Sequence, residues 1–125
     1  GGFHPEDGIV LCANQIDSYA QVQETIVHEL VHAYDECRAF MDWTNCVQHA
    51  CSEIRAANLS GECRWANEFN RGNFNLEGQQ AACVRRRAAL SVKENPACQG
   101  SKGLEAIATA WDACYNDTRP FDYAP

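Results

Sequence analysis

Residues 19–40 read YAQVQETIVHELVHAYDECRAF, and inside them His28-Glu29-Leu30-Val31-His32 spells H-E-x-x-H. The run holds no Gly or Pro, and Ile26, Leu30, Ala33 and Cys37 recur at helical spacing, so the pentapeptide is expected well within a helix. Ser18 followed by Gln21 provides a capping box at its start. Side chains four apart on a helix leave the same face, so His28 and His32 can close on one cation while Glu29 is turned toward its open side. The pattern predicts a zinc hydrolase, most often a peptidase, with one catalytic Zn2+ and Glu29 as general base.

A catalytic zinc usually has three protein ligands and one position kept for water, so the two histidines need a partner. Asp35 shares their face but lies about 10 Å along the axis from His28, too far for both to reach one ion, and is expected behind the ligands. Glu53, on the next expected helix, is the expected third ligand, with His49 one turn before it as the main rival. Cys51 is a further possibility as a thiolate, although a disulfide is the expectation there. For the oxyanion, Tyr34, Tyr19, Tyr115, His4 and Arg55 are candidates, each of them more readily read as structural.

The 125 residues suffice for one domain with a modest core, residues 1–125, and not for two. A formal net charge of −7 argues against nucleic acid or an anionic membrane surface as the main partner. The one basic run, Arg85-Arg86-Arg87, interrupts an apolar helical pattern and reads as a solvated helix face. No stretch approaches the roughly 18 apolar residues of a membrane span. The chain opens at Gly1-Gly2-Phe3 without Met, as a mature or trimmed fragment would.

The cysteine count, 8, is high and even, which permits four disulfides and points to an oxidising compartment. No C-x-x-C pair occurs, which disfavours a thiolate zinc knuckle or a thioredoxin-type motif. At the N-terminus, Phe3-His4 and Ile9–Cys12 flank the turn-rich Pro5-Glu6-Asp7-Gly8 and read as a short hairpin. A second helix is expected from Cys46 to Leu59, stopped at Gly61, a third from Gln79 to Val92, and a fourth from Lys102 to Tyr115. Between them, residues 62–78 read as irregular, with a helical turn possible over Trp65–Phe69, and the C-terminal residues 120–125 read as extended. The fold class expected is α+β: a minimal zincin-like domain, a short hairpin followed by about four helices, stapled by disulfides. Trp43, Trp65, Phe69, Phe74 and Trp111 are expected in the core rather than in a substrate pocket, and the hairpin edge is a candidate substrate-binding strand.

A more specific likeness covers nearly the whole chain. Gly1-Gly2-Phe3, Ile9-Val10-Leu11-Cys12 with Asn14, the stretch HELVHAYDECRA over 28–39, ACSEIRAANLSG over 50–61 with Cys63, Cys83-Val84-Arg85 and Cys114-Tyr115-Asn116-Asp117 resemble the family of mitochondrial inner membrane metallopeptidases called ATP-twenty-three. The resemblance implies a peptidase of the intermembrane space, peripheral to the inner membrane, whose polypeptide substrate is a hydrophobic membrane-protein precursor, ATP synthase subunit 6, and which also assists Fo assembly. It carries His28 and His32 over as zinc ligands and Glu29 as the catalytic glutamate, and Glu53 only as a position in the second motif. An alternative is a chaperone or assembly factor whose client binding does not need the proteolytic site. A third reading is a secreted disulfide-rich binding module in which the motif is coincidental.

Overall fold

The computed structural model describes residues 1–64 and 78–125 of the chain. The expected hairpin is present: strands β1 (Gly2–His4) and β2 (Gly8–Val10) pair antiparallel, with Phe3 opposite Ile9. Gly8 closes the turn at φ +88°, a left-handed conformation that side chains with a Cβ rarely adopt. Four α-helices follow among the described residues: α1 (Tyr19–Ala39), α2 (Cys46–Leu59), α3 (Gln79–Val92) and α4 (Lys102–Tyr115). Short 3-10 turns occupy Ala13–Gln15 and Pro96–Cys98. The α+β reading therefore holds. The possible helical turn over Trp65–Phe69 and the placement of Trp65, Phe69 and Phe74 lie outside the described residues.

The helix boundaries follow from local chemistry. Ser18 Oγ accepts the Gln21 amide at 3.2 Å, and Gln21 Oε1 reaches back to the Asp17 amide at 2.8 Å, a capping box shifted outward by one residue. Asn45 caps α2 through the Gln48 amide. Gly61 follows α2 at φ +89°, the left-handed residue that lets the chain turn away.

Helix α2 is the hub. It packs against α1, α3 and α4, and every residue from Ser52 to Leu59 is buried. Toward α3 and α4 it presents Ala50, Ile54 and Ala57, which join Val84, Ala88, Val92, Ala106, Ile107 and Ala110 in the main core. Toward α1 the apolar contact is small, Val31 against Ala56 and Leu59. Small side chains dominate the main core, and three disulfides reinforce it: Cys46–Cys98, Cys51–Cys114 and Cys63–Cys83. Each has one cysteine on α2 or just beyond its end and the other on α3, α4 or the turn between them. Cys12 and Cys37 form no disulfide and are exposed, so the four bridges permitted by the count become three. Trp111 packs against the main core as expected, with Tyr115 stacked on it at 4.6 Å and Arg85 above it at 3.9 Å.

The α1–α2 interface is held by charge. Arg55 is 0% exposed, yet its guanidinium is satisfied: Nε donates to Asp35 Oδ1 at 3.0 Å, Nη1 to the Asp117 carbonyl and Nη2 to the Arg119 carbonyl. Asp117 also pairs with Arg38 at 2.7 Å and with Arg119 at 2.8 Å. The Arg119 hydrogen bonds, with Arg38 and Arg55 alongside, hold the Asp117 carboxyl well below the usual carboxylate range despite partial burial.

Replacing Arg55 by Met leaves the buried Asp35 with only the longer 3.4 Å pairing to Arg38 and should lower unfolding free energy by about 3–5 kcal/mol in urea titrations. Asp117 is depressed in the folded state, so its contribution is present above the ordinary carboxyl pKa of about 4 and disappears as pH falls below it. The stability gap between the parent and Asp117→Asn, measured by thermal unfolding, should therefore be full at neutral pH and narrow in acid.

Candidate metal centre

The buried face of α1 carries Glu29, Val31, His32 and Asp35, with His28 beside them at 17% side-chain exposure. The apolar repeat that marked the helix in the sequence faces elsewhere: Leu30 is half exposed and Cys37 is on the surface. Helix α2 crosses this polar face and inserts Glu53 between the two imidazoles. Glu53 Oε2 lies 3.4 Å from His28 Nε2, and Glu53 Oε1 lies 3.4 Å from His32 Nε2. One ligand atom from each of His28, His32 and Glu53 falls within 4.8 Å of the others. That spacing suits a single cation better than a hydrogen bond, for neither contact has the length of a strong charge-assisted one.

The donor set fits a metal on two further observations. Glu53 Oε2 is buried and makes no hydrogen bond among the described residues, a costly situation for a carboxylate oxygen unless a cation completes it. Both imidazoles are also oriented from behind. His32 Nδ1 meets Ser52 Oγ at 2.7 Å, Ser52 donates to Asp35 Oδ2 at 2.9 Å, and Asp35 is gripped by Arg55. His28 Nδ1 faces Glu62 Oε1 at 3.3 Å, and Glu62 is paired with Arg87 at 3.1 Å. Such partners fix which ring nitrogen faces the site.

With the protein's own charges alone, the two histidines separate. Burial pulls the His28 pKa down, but Glu53 and Glu62 on its two nitrogens outweigh this and raise it to about 10. Burial and the neighbouring His28 lower His32 to about 4 against the pull of Glu53. Burial favours the neutral form of Glu53 too, yet His28 and His49 drive its carboxyl well below the usual range. A proton on His28 thus supplies positive charge where a carboxylate demands it. Glu29 is buried and raised by desolvation, the direction suited to a group that must accept a proton near neutral pH.

His28, Glu29, His32, His49 and Glu53 open on a cleft of about 740 Å3, walled on one side by Gly1–Glu6 and on the other by Ser91, Glu94 and Asn95. Trp43, expected in the core, instead forms part of this wall, edge-on to Phe3, His32 and His49 at 6.4, 5.6 and 5.8 Å. Its indole Nε1 donates to Glu36 Oε2 at 3.0 Å, so its polar edge is satisfied away from the cleft. Cys51 is removed as a ligand by its disulfide to Cys114. Among the oxyanion candidates only His4 lines the cleft; Arg55 and Tyr34 lie in the charged α1–α2 interface and Tyr19 is on the surface. Ser52, Glu62 and Asn95 were not anticipated, because no spacing links them to the motif until the helices are packed.

The description Peptidase M76 family matches over residues 1–122. The chain belongs to that family. It is 53% identical to the mitochondrial inner membrane protease atp23 of Emericella nidulans, over 98% of this chain and 52% of that protein. With the ATP23 protein of Malassezia globosa the identity is 50%, over 98% of this chain and 53% of the other. With that of Kluyveromyces lactis it is 49%, over 98% and 51%. The chain therefore spans about half the length of the curated relatives it matches. No solved structure matches.

Ser52→Ala tests the wiring of the site without any metal. It leaves His32 Nδ1 and a buried Asp35 oxygen short of a partner, and should cost about 1–3 kcal/mol in urea unfolding.

Proposed function

We propose that residues 1–125 are a single metallopeptidase domain that binds one catalytic Zn2+ through His28, His32 and Glu53 and cleaves polypeptides with Glu29 as general base. The observation that carries this reading is the convergence of two imidazole nitrogens and a buried, unbonded carboxylate oxygen on one point at the floor of an open cleft. Membership of a peptidase family supports it. A cation bound there supplies Lewis acidity, polarising the scissile carbonyl and lowering the pKa of water.

The chain's own residues do the rest. Glu29, held in the cleft wall with its proton affinity raised by burial, takes a proton from the attacking water on a carboxylate oxygen and passes it to the leaving amine. The β1 strand along the cleft mouth offers backbone groups on which an extended substrate can pair, and Trp43 with Phe3 gives that mouth an apolar wall. Such a surface suits a hydrophobic precursor. The relatives' names place them at the mitochondrial inner membrane, and we assign this domain the intermembrane space, peripheral to that membrane. Its three disulfides agree with an oxidising compartment. No helix among the described residues is long and apolar enough to cross a membrane.

Purified protein should hold one equivalent of zinc through dialysis. Glu29→Gln should keep that zinc and the fold while losing peptide hydrolysis by about 100-fold or more, and His28→Ala should lose the metal. Parent protein that stays metal-free in excess zinc, or Glu29→Gln with parental activity, refutes the reading. Assembly of a client that continues unimpaired in Glu29→Gln would show that binding and proteolysis are separate roles of one domain.

A further inference from the structure

Asn95 sits where α3 gives way to the 3-10 turn, and its side-chain amide makes three contacts. Oδ1 accepts from the Ala97 amide at 2.9 Å, while Nδ2 lies 2.8 Å from the Trp43 carbonyl and 2.8 Å from His49 Nδ1. A backbone N–H can only donate and a backbone carbonyl can only accept, so the orientation of this amide is chemically fixed. Its second N–H must then point at His49 Nδ1, which accepts. The imidazole hydrogen is thereby placed on Nε2, and Nε2 lies 3.1 Å from Glu53 Oε1.

From this we infer that Asn95 and His49 form a positioning relay for Glu53, a proposal that rests on the zinc reading above. Asn95 donates to His49 Nδ1, His49 donates from Nε2 to Glu53 Oε1, and Glu53 Oε2 is left facing His28 Nε2 with no hydrogen bond among the described residues. Both nitrogens of His49 are committed, one as acceptor and one as donor, so neither lone pair is available to a cation. The competition between Glu53 and His49 for the third ligand position is resolved in favour of Glu53, with His49 acting through it. Two features hold the relay in place. The Cys46–Cys98 disulfide joins the chain three residues before His49 to the chain three residues after Asn95, and Trp43, whose carbonyl anchors the Asn95 amide, packs its ring edge against His49.

Zinc affinity, read by competition with a chromogenic chelator, tests the relay in the parent, Glu53→Ala, His49→Ala, His49→Gln, Asn95→Ala and the His49→Ala/Asn95→Ala double variant. His49→Ala should still bind one zinc, about 10–100-fold more weakly, as when a hydrogen-bond partner behind a ligand is removed. Asn95→Ala should weaken binding in the same direction. The double variant should be no worse than His49→Ala alone, because both substitutions break one chain of bonds. His49→Gln, whose amide can still donate to Glu53, should recover most of the affinity. In the unsubstituted protein, imidazole 15N shifts should report the Nε2–H tautomer at His49, a readout that does not depend on any variant folding. Four results overturn the relay: an Nδ1–H tautomer at His49, parental affinity in both single variants, an additive double variant, or a His49→Ala protein without zinc beside a Glu53→Ala protein that keeps its full equivalent. A parent that binds no zinc would remove the underlying reading and the relay together, whereas a zinc-binding parent with unaffected variants removes the relay alone.

Discussion

A guanidinium sealed from water has five N–H groups to satisfy and a charge that can neither be solvated nor titrated away. Arg55 is in that position at the centre of the molecule, and its partners come from two places distant in sequence: Asp35 on α1, and the Asp117 and Arg119 carbonyls beyond α4. The packing of α1 on α2 is therefore determined less by apolar contact, which amounts to Val31 against Ala56 and Leu59, than by the need to bring these acceptors to one point. The same carboxylate that neutralises Arg55 continues through Ser52 to His32 Nδ1. Structural charge and site geometry are one network, so the helix crossing that satisfies the arginine also sets the orientation of an imidazole in the cleft.

A domain of this size with a core of alanine, valine and cysteine has limited apolar area to offset chain entropy. The disulfides answer that shortage at particular places. All three radiate from α2 or its C-terminal turn, tying it to α3, to α4 and to the turn between them. Because α2 also carries His49, Ser52, Glu53 and Arg55, the cross-links immobilise the element on which the site's geometry depends. A helix free to slide by one residue would carry Glu53 about 1.5 Å along its axis and remove it from between the histidines.

Much of this was legible in the sequence, and the failures have a common cause. The helix boundaries follow from local signals, among them Ser18 with Gln21, Asn45, and Gly61 at positive φ. The H-E-x-x-H geometry is also local, four residues on one helix, and Glu53 could be selected by its place on the next helix. What sequence periodicity locates is the helix, and it does not reveal which face of α1 points inward. Ile26, Leu30, Ala33 and Cys37 made the apolar stripe, yet the buried side carries Glu29, His32 and Asp35. Hydrophobic patterning presumes that burial is driven by transfer from water, and here hydrogen bonding to Arg55 and Ser52 offsets the desolvation of polar groups instead. Trp43 was misplaced for a related reason: a tryptophan is large enough to be mostly covered while still presenting an edge to a cleft. Glu62, Ser52 and Asn95 carry no motif, since each acquires its role only when separate elements meet.

The arrangement around Glu53 shows why its helix, rather than a loop, supplies this carboxylate. A glutamate placed between two imidazoles has several rotatable bonds, and each must be frozen for its oxygens to stay apart. The backbone of α2 fixes the origin of the side chain and the histidines bound it on one side. From the other side the His49 ring closes on Oε1 from one turn earlier on the same helix. Because donor and acceptor share a rigid element, their separation cannot drift with relative helix motion, and only the rotation of the His49 ring remains free. That remaining freedom is removed by a group from outside α2, the Asn95 amide, whose own orientation is set by the main chain at Trp43 and Ala97. Order thus passes inward from backbone to side chain, so that the buried oxygen of Glu53 is left with one direction in which its charge can be met.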